Sequence, residues 1–305
     1  MTLPAPQWLD TDLYPFDRAV HDVAGHRVHV VDHGTGPTLL LLHGNPTWSF
    51  VWSGVITELA PDHRCVAPDL PGFGMSQAPA GFDGRAESIA DVLAELVLAM
   101  DLRDVVLVVQ DWGGPIGLSL AQRMPDRFRG LVIGNTWAWP ITGDPHFERF
   151  SALLGGRVGA WLIRRLNLVV RGLIPAGHRR RRPTRAEMRH YRHALGTPDR
   201  RQASAVLPRE IVAAAPFLAR VEAGLATLRT LPALLIWADR DIAFRRTELE
   251  RWQRELPDAR TVELPGAGHY LQSDAPQEFA AAVRAFVAQD LGAAVGTARD
   301  EEARA

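Results

Sequence analysis

The stretch that decides the fold of this 305-residue chain is Val105–Gly114, which reads VVLVVQDWGG. Five apolar residues, most of them β-branched, predict a buried strand that ends at Asp111. Two glycines follow, which permit a sharp turn, and helical spacing resumes after them. We therefore predict a strand, a tight turn and a helix, with a carboxylate at the turn.

The carboxylate at this turn is suited to nucleophilic chemistry. A serine must lose a proton before it attacks, whereas an aspartate near its reference pKa of about 3.9 is already anionic at neutral pH. Such a group can displace a leaving group at a saturated carbon and give an alkyl-aspartyl ester, which water then hydrolyses. The alternative interpretation is that Asp111 merely caps the helix that follows.

The composition is that of an ordinary globular protein, with 47% apolar and 23% charged residues. The net charge of −1 predicts no general attraction to nucleic acid or to an anionic membrane. The single cysteine, Cys65, excludes an intramolecular disulfide. No apolar run approaches the roughly 20 residues that cross a bilayer. The first residues lack the features of a signal peptide, so we expect a cytoplasmic protein.

Apolar runs and helical patterns alternate along much of the chain. A β-hairpin is predicted over residues 17–33, with its turn at Ala24-Gly25. This alternation predicts an α/β fold, with a mostly parallel sheet flanked by helices. The further strands are predicted at 38–42, 65–70, 105–111, 130–135, 233–238 and 260–264, and the helices at 86–100, 114–123, 245–255 and 275–290.

The alternation stops after Trp137, and only helical patterns occur until about residue 228. We therefore predict a core domain made of residues 1–137 and 229–291, with a helical cap domain of residues 138–228 inserted into it. The charge run His178–Arg182 is interpreted as a solvated loop of this cap, because it is short and lacks interleaved aromatic residues. The small and polar tail, residues 292–305, is expected to fray.

Hydrolysis of an ester at Asp111 needs a general base and an acid that orients it. His269 follows the last predicted strand in a loop that reads LPGAGHY. Asp241 lies beyond the strand 233–238, and Asp239 is its near rival, with a turn or capping role as the alternative. The order Asp111, Asp241, His269 is the order nucleophile, acid, histidine that one hydrolase fold uses.

Two neutral donors complete the predicted site. Asn45 follows the strand 38–42 and carries side-chain N–H groups, and Trp112 carries an indole N–H that can only donate. Halide is a weak base that needs hydrogen bonds and no proton when it departs. The pair therefore predicts a halide site, although Asn45 could be a turn residue and Trp112 a core aromatic.

The segments HGNPTW (residues 43–48) and QDWGG (residues 110–114) resemble those of the haloalkane dehalogenases, which have the α/β-hydrolase fold. The resemblance extends over roughly residues 16–137 and 230–290. It implies that Asp111 is the nucleophile, His269 the base and Asp241 the acid, with Asn45 and Trp112 as halide ligands. The backbone N–H groups of Asn45 and Trp112 would form the oxyanion hole. Neither a metal nor an organic cofactor is implied, and the partners are a small apolar halogenated substrate and water.

The position of the acid distinguishes subfamilies. Some dehalogenases have a carboxylate just after the sixth strand, but residues 134–139 of this chain read GNTWAW. Asn45 together with a late aspartate resembles the third subfamily, whose members tend to form large oligomers, so the resemblance implies self-association. The sequence does not say whether Trp137 or Trp139 lines the pocket.

Several related functions remain as alternatives. An epoxide hydrolase of the same fold shares the nucleophile, acid and histidine. Its site, however, has two tyrosines of the cap that protonate the substrate oxygen, and only Tyr191 lies in the predicted cap of this chain. A fluoroacetate dehalogenase would have an arginine just after the nucleophile, where this chain has Trp112. A coelenterazine-type luciferase is a remote alternative. A catalytically silent relative that only binds a ligand is another.

Overall fold

The computed structural model describes residues 6–291, so the predicted fraying of residues 292–305 lies outside the described residues. One eight-stranded sheet organises the chain, in the order β1-β2-β4-β3-β5-β6-β7-β8. The strands are β1 Arg18–Val23, β2 His26–His33, β3 Thr38–Leu42, β4 Arg64–Pro68, β5 Val105–Gln110, β6 Phe128–Gly134, β7 Ala233–Ala238 and β8 Arg260–Leu264.

The predicted α/β-hydrolase architecture is confirmed by the topology of the sheet. Strands β1 and β2 form the predicted hairpin, and β2 runs antiparallel to β4, whereas β4, β3 and β5–β8 are parallel. In the centre, β3 pairs with β5, with Leu42 opposite Val109. The loops that leave the carboxyl ends of these two strands therefore start side by side.

Helices cover both faces of the sheet. The short helix α1 contacts α13, while α2, α9 and α10 contact α3. The helices are α1 Ser53–Leu59, α2 Ala86–Ala99, α3 Gly113–Arg123, α4 Pro145–Gly155, α5 Arg157–Leu166, α6 Ile174–Gly177, α7 Arg185–Ala194, α8 Gln202–Ala213, α9 Ala215–Ala223, α10 Leu225–Leu228, α11 Arg246–Glu255, α12 Leu271–Asp274 and α13 Pro276–Phe286. No helix among residues 6–291 combines the length and apolar character of a membrane span.

The chain between β6 and β7 is helical, with π-helical turns at residues 169–173. Helices α4 to α8 lie above the carboxyl ends of the strands, since residues of α4 and α8 line a cavity there together with loop residues of the sheet. Helices α9 and α10 instead pack against α3, where Gln122 Nε2 donates a 2.8 Å hydrogen bond to the Val221 carbonyl. We refer to residues 138–214 as the upper insert.

The turn between β5 and α3 is packed against β3 at the start of the helix. A Cβ atom added to Gly113 would lie 2.3 Å from the Leu42 carbonyl oxygen, which is too close for any real side chain. Glycine at this position therefore allows α3 to start directly against the neighbouring strand.

We expect Gly113→Ala to destabilise the protein by about 3 kcal/mol, the upper end of the usual cost of overpacking, because the obstruction is backbone. Gly172→Ala is the matched control, since nothing lies within 4 Å of a Cβ at that position. Thermal and urea unfolding of both variants checks this. Equal stability of the two alanine variants would contradict the close approach of α3 to β3.

Candidate active site

Asp111 occupies the turn between β5 and α3 in a strained backbone conformation. Its φ angle is +51°, in the left-handed region that residues other than glycine rarely adopt. The neighbouring strand end holds it there: the Asp111 N–H donates to the Asn135 carbonyl at 3.1 Å, and the Thr136 hydroxyl donates to the Asp111 carbonyl at 2.5 Å. This backbone conformation directs the carboxylate away from the end of β5, at the carboxyl edge of the sheet.

The loop after β3 reaches the same carboxylate from the other side. The backbone N–H of Asn45 donates to Asp111 Oδ1 at 2.8 Å. A Cβ on Gly44 would lie 2.2 Å from that same oxygen, so only glycine lets the loop pass this close. A backbone donor aimed at one carboxylate oxygen is the arrangement that stabilises an oxyanion when that carbon is attacked.

His269 and Asp241 come from the loops after β8 and β7. The imidazole Nδ1 lies 3.1 and 3.0 Å from the two Asp241 carboxylate oxygens, and Nε2 lies 3.8 Å from Asp111 Oδ2. The structure thus brings the three predicted residues together, with the imidazole of His269 between the carboxylates of Asp111 and Asp241. Asp239 lies elsewhere: it accepts a 2.5 Å hydrogen bond from the N–H of Gly266 and fixes the turn there.

All three side chains are shielded from water, with exposed fractions of 13% for Asp111, 8% for His269 and none for Asp241. Burial raises the pKa of Asp111, although the His269 charge and the nearby backbone N–H groups oppose this. Burial lowers the pKa of His269, but the attraction of Asp241 and of Asp111 outweighs it and raises the pKa to about 9. The imidazole between two carboxylates is therefore stabilised in its protonated form.

Asn135 and Gln110 support this arrangement, and the sequence did not single them out. Asn135 Nδ2 donates to Asp241 Oδ2 at 2.6 Å, while its Oδ1 accepts from the Ala238 N–H at 2.8 Å. Gln110 Nε2 donates to the His269 carbonyl at 3.1 Å. Gln110 is the last residue of β5, directly before Asp111, and Asn135 follows the neighbouring strand β6. That position of Asn135, just after the sixth strand, was the one signal for it in the sequence, because some dehalogenases have a carboxylate there.

The side chain of Asn45 is held by the upper insert. The hydroxyl of Ser204, a fully buried residue of α8, donates to Asn45 Oδ1 at 2.7 Å, and Asn45 Nδ2 lies 3.4 Å from the Ser204 carbonyl. Because Ser204 contacts both ends of the amide, its orientation is fixed, and one of the two N–H groups on Nδ2 is left for another partner. The sequence motifs did not indicate Ser204, because its contact with Asn45 joins residues that are 159 positions apart.

A cavity of about 170 Å³ lies over Asp111, between the sheet and the upper insert. A cavity of about 150 Å³ accommodates benzene, so this one suits a molecule of a few heavy atoms. Its walls are mostly aromatic and aliphatic: Asn45, Asp111, Trp112, Trp137, Ile242, Ala243, Phe244, His269 and Tyr270 come from the sheet loops, and His146, Phe147, Phe150, Leu173, Pro208 and Ile211 come from the upper insert.

The two tryptophans left open by the sequence have different surroundings. Trp137 lines the cavity, edge-on to Trp112 at 4.7 Å and stacked on Phe244 at 5.4 Å. Trp139 packs on Trp252 outside the cavity, with the Arg251 guanidinium 4.1 Å above its ring. Within residues 6–291, no group of three or more His, Cys, Asp and Glu side chains is arranged to hold a metal ion.

The sheet and the turn between β5 and α3 define an α/β-hydrolase. The signature of this fold is a nucleophile in a strained turn after the fifth strand, followed along the chain by an acid and then a histidine. The alpha/beta hydrolase fold family matches residues 37–276 of the chain.

The more specific relationship comes from individual proteins. Haloalkane dehalogenase 2 of Mycobacterium tuberculosis (strain ATCC 25618 / H37Rv) is 44% identical over 276 residues, 90% of this chain and 96% of the relative. A cis-3-alkyl-4-alkyloxetan-2-one decarboxylase of Shewanella oneidensis is 28% identical and covers 92% of this chain and 91% of its own length. The crystal structure of haloalkane dehalogenase DbeA from Bradyrhizobium elkani USDA94 matches with a TM-score of 0.83 at 28% identity, over 91% of this chain and 99% of that one. The chain belongs to the haloalkane dehalogenase family.

Replacing Asp241 by asparagine should lower the pKa of His269 from about 9, because the charge of Asp241, the largest effect that opposes burial, is lost and Asp111 alone remains as a negative partner. An NMR titration of the imidazole, assigned with a His269→Gln variant, measures it. Asp239→Asn is the matched control and should leave the value unchanged, since Asp239 binds Gly266. A His269 pKa that stays near 9 in Asp241→Asn would show that Asp241 is not its partner.

Proposed function

We propose that this member of the haloalkane dehalogenase family converts a haloalkane and water into an alcohol, a halide ion and a proton, through a covalent ester on Asp111. The observation that carries the mechanism is the alignment of the Asp111 carboxylate with His269, 3.8 Å away, and of His269 with Asp241, 3.0 Å away, under an apolar cavity.

In the first step, an Asp111 carboxylate oxygen attacks the carbon that bears the halogen. The C–O bond forms as the carbon–halogen bond breaks, and the electron pair leaves with the halide. Asn45 and Trp112 both line the cavity beside Asp111 and supply neutral donors for the departing anion. Ser204 keeps the Asn45 amide oriented for this task.

In the second step, water hydrolyses the ester. Esterification neutralises Asp111, and this removes one of the two attractions that raise the pKa of His269. The imidazole then becomes neutral more readily and can take a proton from water, while the hydroxide attacks the ester carbonyl. The N–H of Asn45 stabilises the oxyanion. The bond between the carbonyl carbon and the alkoxy oxygen then breaks, and the alcohol leaves with the proton of the added hydroxyl group, which restores the Asp111 carboxylate. Asp241 stabilises the imidazolium until its proton passes to solvent.

The cavity supports a small apolar substrate over the alternatives. An epoxide needs a donor for its oxygen, yet the single tyrosine among the described cavity residues is Tyr270 of the sheet, while Tyr191 packs against Phe50. A substrate that carries a carboxylate would find no arginine or lysine among the described residues that line the cavity. We also propose that the cap domain predicted over residues 138–228 sets the size of the substrate. Six residues of its first part, the upper insert, line the cavity.

His269→Ala should react once and stop, because the first step needs no base and the second does. Incubation with 1-bromobutane should release about one equivalent of bromide and add a butyl group to Asp111, visible in the mass of its peptide. Wild-type protein should release bromide continuously, and Asp111→Ala should release none.

Alkylation of a residue other than Asp111 would contradict the assignment of the nucleophile. Release of no bromide by folded wild type, together with turnover of a styrene-oxide-type epoxide or a 3,4-dialkyl oxetan-2-one, would contradict the proposed reaction itself.

Ser204→Ala should weaken bromide binding by about three- to tenfold, because the loss of one hydrogen bond costs about 0.5–1.5 kcal/mol and frees the Asn45 amide to rotate. Inhibition of turnover by added bromide measures this affinity. Ser119→Ala is the matched control, since its buried hydroxyl binds the Ile116 carbonyl of its own helix. Equal bromide affinity in the two variants would separate Ser204 from the halide site.

A further inference from the structure

The outer surface of the upper insert carries an unusual concentration of exposed apolar side chains. Seven large apolar residues are exposed among residues 6–291, and five of them lie within residues 153–168. Val158 and Trp161, on one face of α5, are 72% and 56% exposed. The five are Leu153, Val158, Trp161, Leu166 and Leu168. Scattered exposed apolar residues are normal, but a cluster of this kind indicates an interaction surface.

The segment that carries these side chains is rich in arginine. Between Glu148 and Glu187 the sequence contains ten arginines, at positions 149, 157, 164, 165, 171, 179–182 and 185, and no acidic residue. A surface groove on α5 is lined by arginines 157, 164 and 165 beside Trp161. Asp199 lies in that groove, 3.7 Å from Arg164, and offsets one charge. Within the described part of the chain, Arg157 and Arg165 form no ion pair. We call these five apolar residues and Arg157, Arg164, Arg165 and Arg171 the α5 patch.

We propose that the α5 patch docks on an anionic lipid bilayer. A helix with apolar and aromatic side chains on its exposed face and arginines beside them is the pattern that lies in the interface of a membrane. Although the net charge of the chain is −1, the arginines of the α5 patch, of which Asp199 offsets one, attract an anionic surface locally.

The charge of the α5 patch argues against the other partners. In a symmetric contact between two copies the same patch meets itself, which would bring arginines together. Nucleic acid would satisfy the arginines, but such interfaces are polar and would leave five apolar side chains without a partner. An anionic bilayer accommodates both, with headgroups for the arginines and the acyl boundary for Trp161 and its neighbours.

The position of the patch relates to the proposed function, on which this part of the argument rests. Beneath α5, Ile163 packs in a small cluster with Leu154, and that cluster contacts Phe150 and Leu173, which line the catalytic cavity. The side chains of this cluster and the two residues that line the cavity therefore lie between the patch and the cavity. Apolar haloalkanes partition into bilayers, so docking here would place the cavity beside its source of substrate.

The test is flotation of the full-length protein with vesicles, which does not depend on dehalogenase activity. We expect binding to phosphatidylcholine vesicles that contain 30% phosphatidylglycerol, no binding to pure phosphatidylcholine, and release at 0.5 M salt. Each arginine near an anionic surface contributes a factor of about five. The double variant Arg157→Glu/Arg165→Glu should therefore bind at least tenfold more weakly, and Trp161→Ser about tenfold more weakly.

Matched controls lie outside the patch: Arg254→Glu on α11 changes one exposed charge, and Leu98→Ser on α2 removes an apolar side chain that is 45% exposed. Both should bind like wild type, and circular dichroism establishes that every variant is folded. Absence of binding to the anionic vesicles, or equal binding by patch and control variants, would overturn the proposal. So would a wild-type oligomer that does not bind vesicles and that Trp161→Ser dissociates, since the patch would then join copies of the chain.

Discussion

The left-handed backbone of Asp111 is the constraint on which the site depends. A residue with a φ of +51° is strained by about 1–3 kcal/mol and persists only where its surroundings hold it. Here Asn135 and Thr136 hold the turn by hydrogen bonds to its backbone on one side. On the other side, the absence of a side chain at Gly44 allows the loop that carries Asn45 to approach the carboxylate. The position of the carboxylate thus follows from the pairing of β3, β5 and β6.

The electrostatics of the site follow from that position. His269 lies between two buried carboxylates, and they raise its pKa to about 9 against the effect of burial. The value belongs to the free site with Asp111 charged. Any reaction that neutralises Asp111 lowers the stability of the imidazolium. Under the proposed mechanism, the same geometry therefore favours protonated histidine before the ester forms and a better base after it. Asn135, which donates to Asp241, keeps the acid in place throughout.

Much of the fold could be predicted from the sequence, because the parallel strands are nearly continuous apolar runs and the helices between them are amphipathic. Strands β3, β7 and β8 have the predicted ends, and the hairpin β1–β2 is confirmed. Helix α1 was missed, since its seven residues include a glycine and three β-branched side chains, which disfavour a helix. The predicted helix 275–290 is shorter: α13 ends at Phe286, and π-helical turns follow.

The residues of the candidate site likewise fall into those that could be predicted from the sequence and those that could not. The side chains that follow strand ends, such as Asp111, Asn45 and Asp241, could be proposed because position in an α/β chain predicts the edge at which they meet. Ser204 could not, because it approaches Asn45 from an insert whose packing leaves no local pattern in the sequence. The same limit applies to the cavity walls, where Trp137 and Trp139 look alike as sequence but only Trp137 reaches the cavity.

The net charge of the chain does not describe the charge of each part of its surface, for a related reason. It averages over the whole chain, whereas attraction to a surface acts over about one Debye length, roughly 10 Å at 0.1 M salt. The acidic residues that balance the ten arginines of residues 149–185 lie in other parts of the sequence, and some of them pair with these arginines: Glu278 with Arg180, Glu187 with Arg181 and Asp199 with Arg164. The outer face of α5 has few such neighbours. A helical insert can therefore be apolar and aromatic towards a cavity, basic and apolar towards its surroundings, and still belong to a protein of almost no net charge.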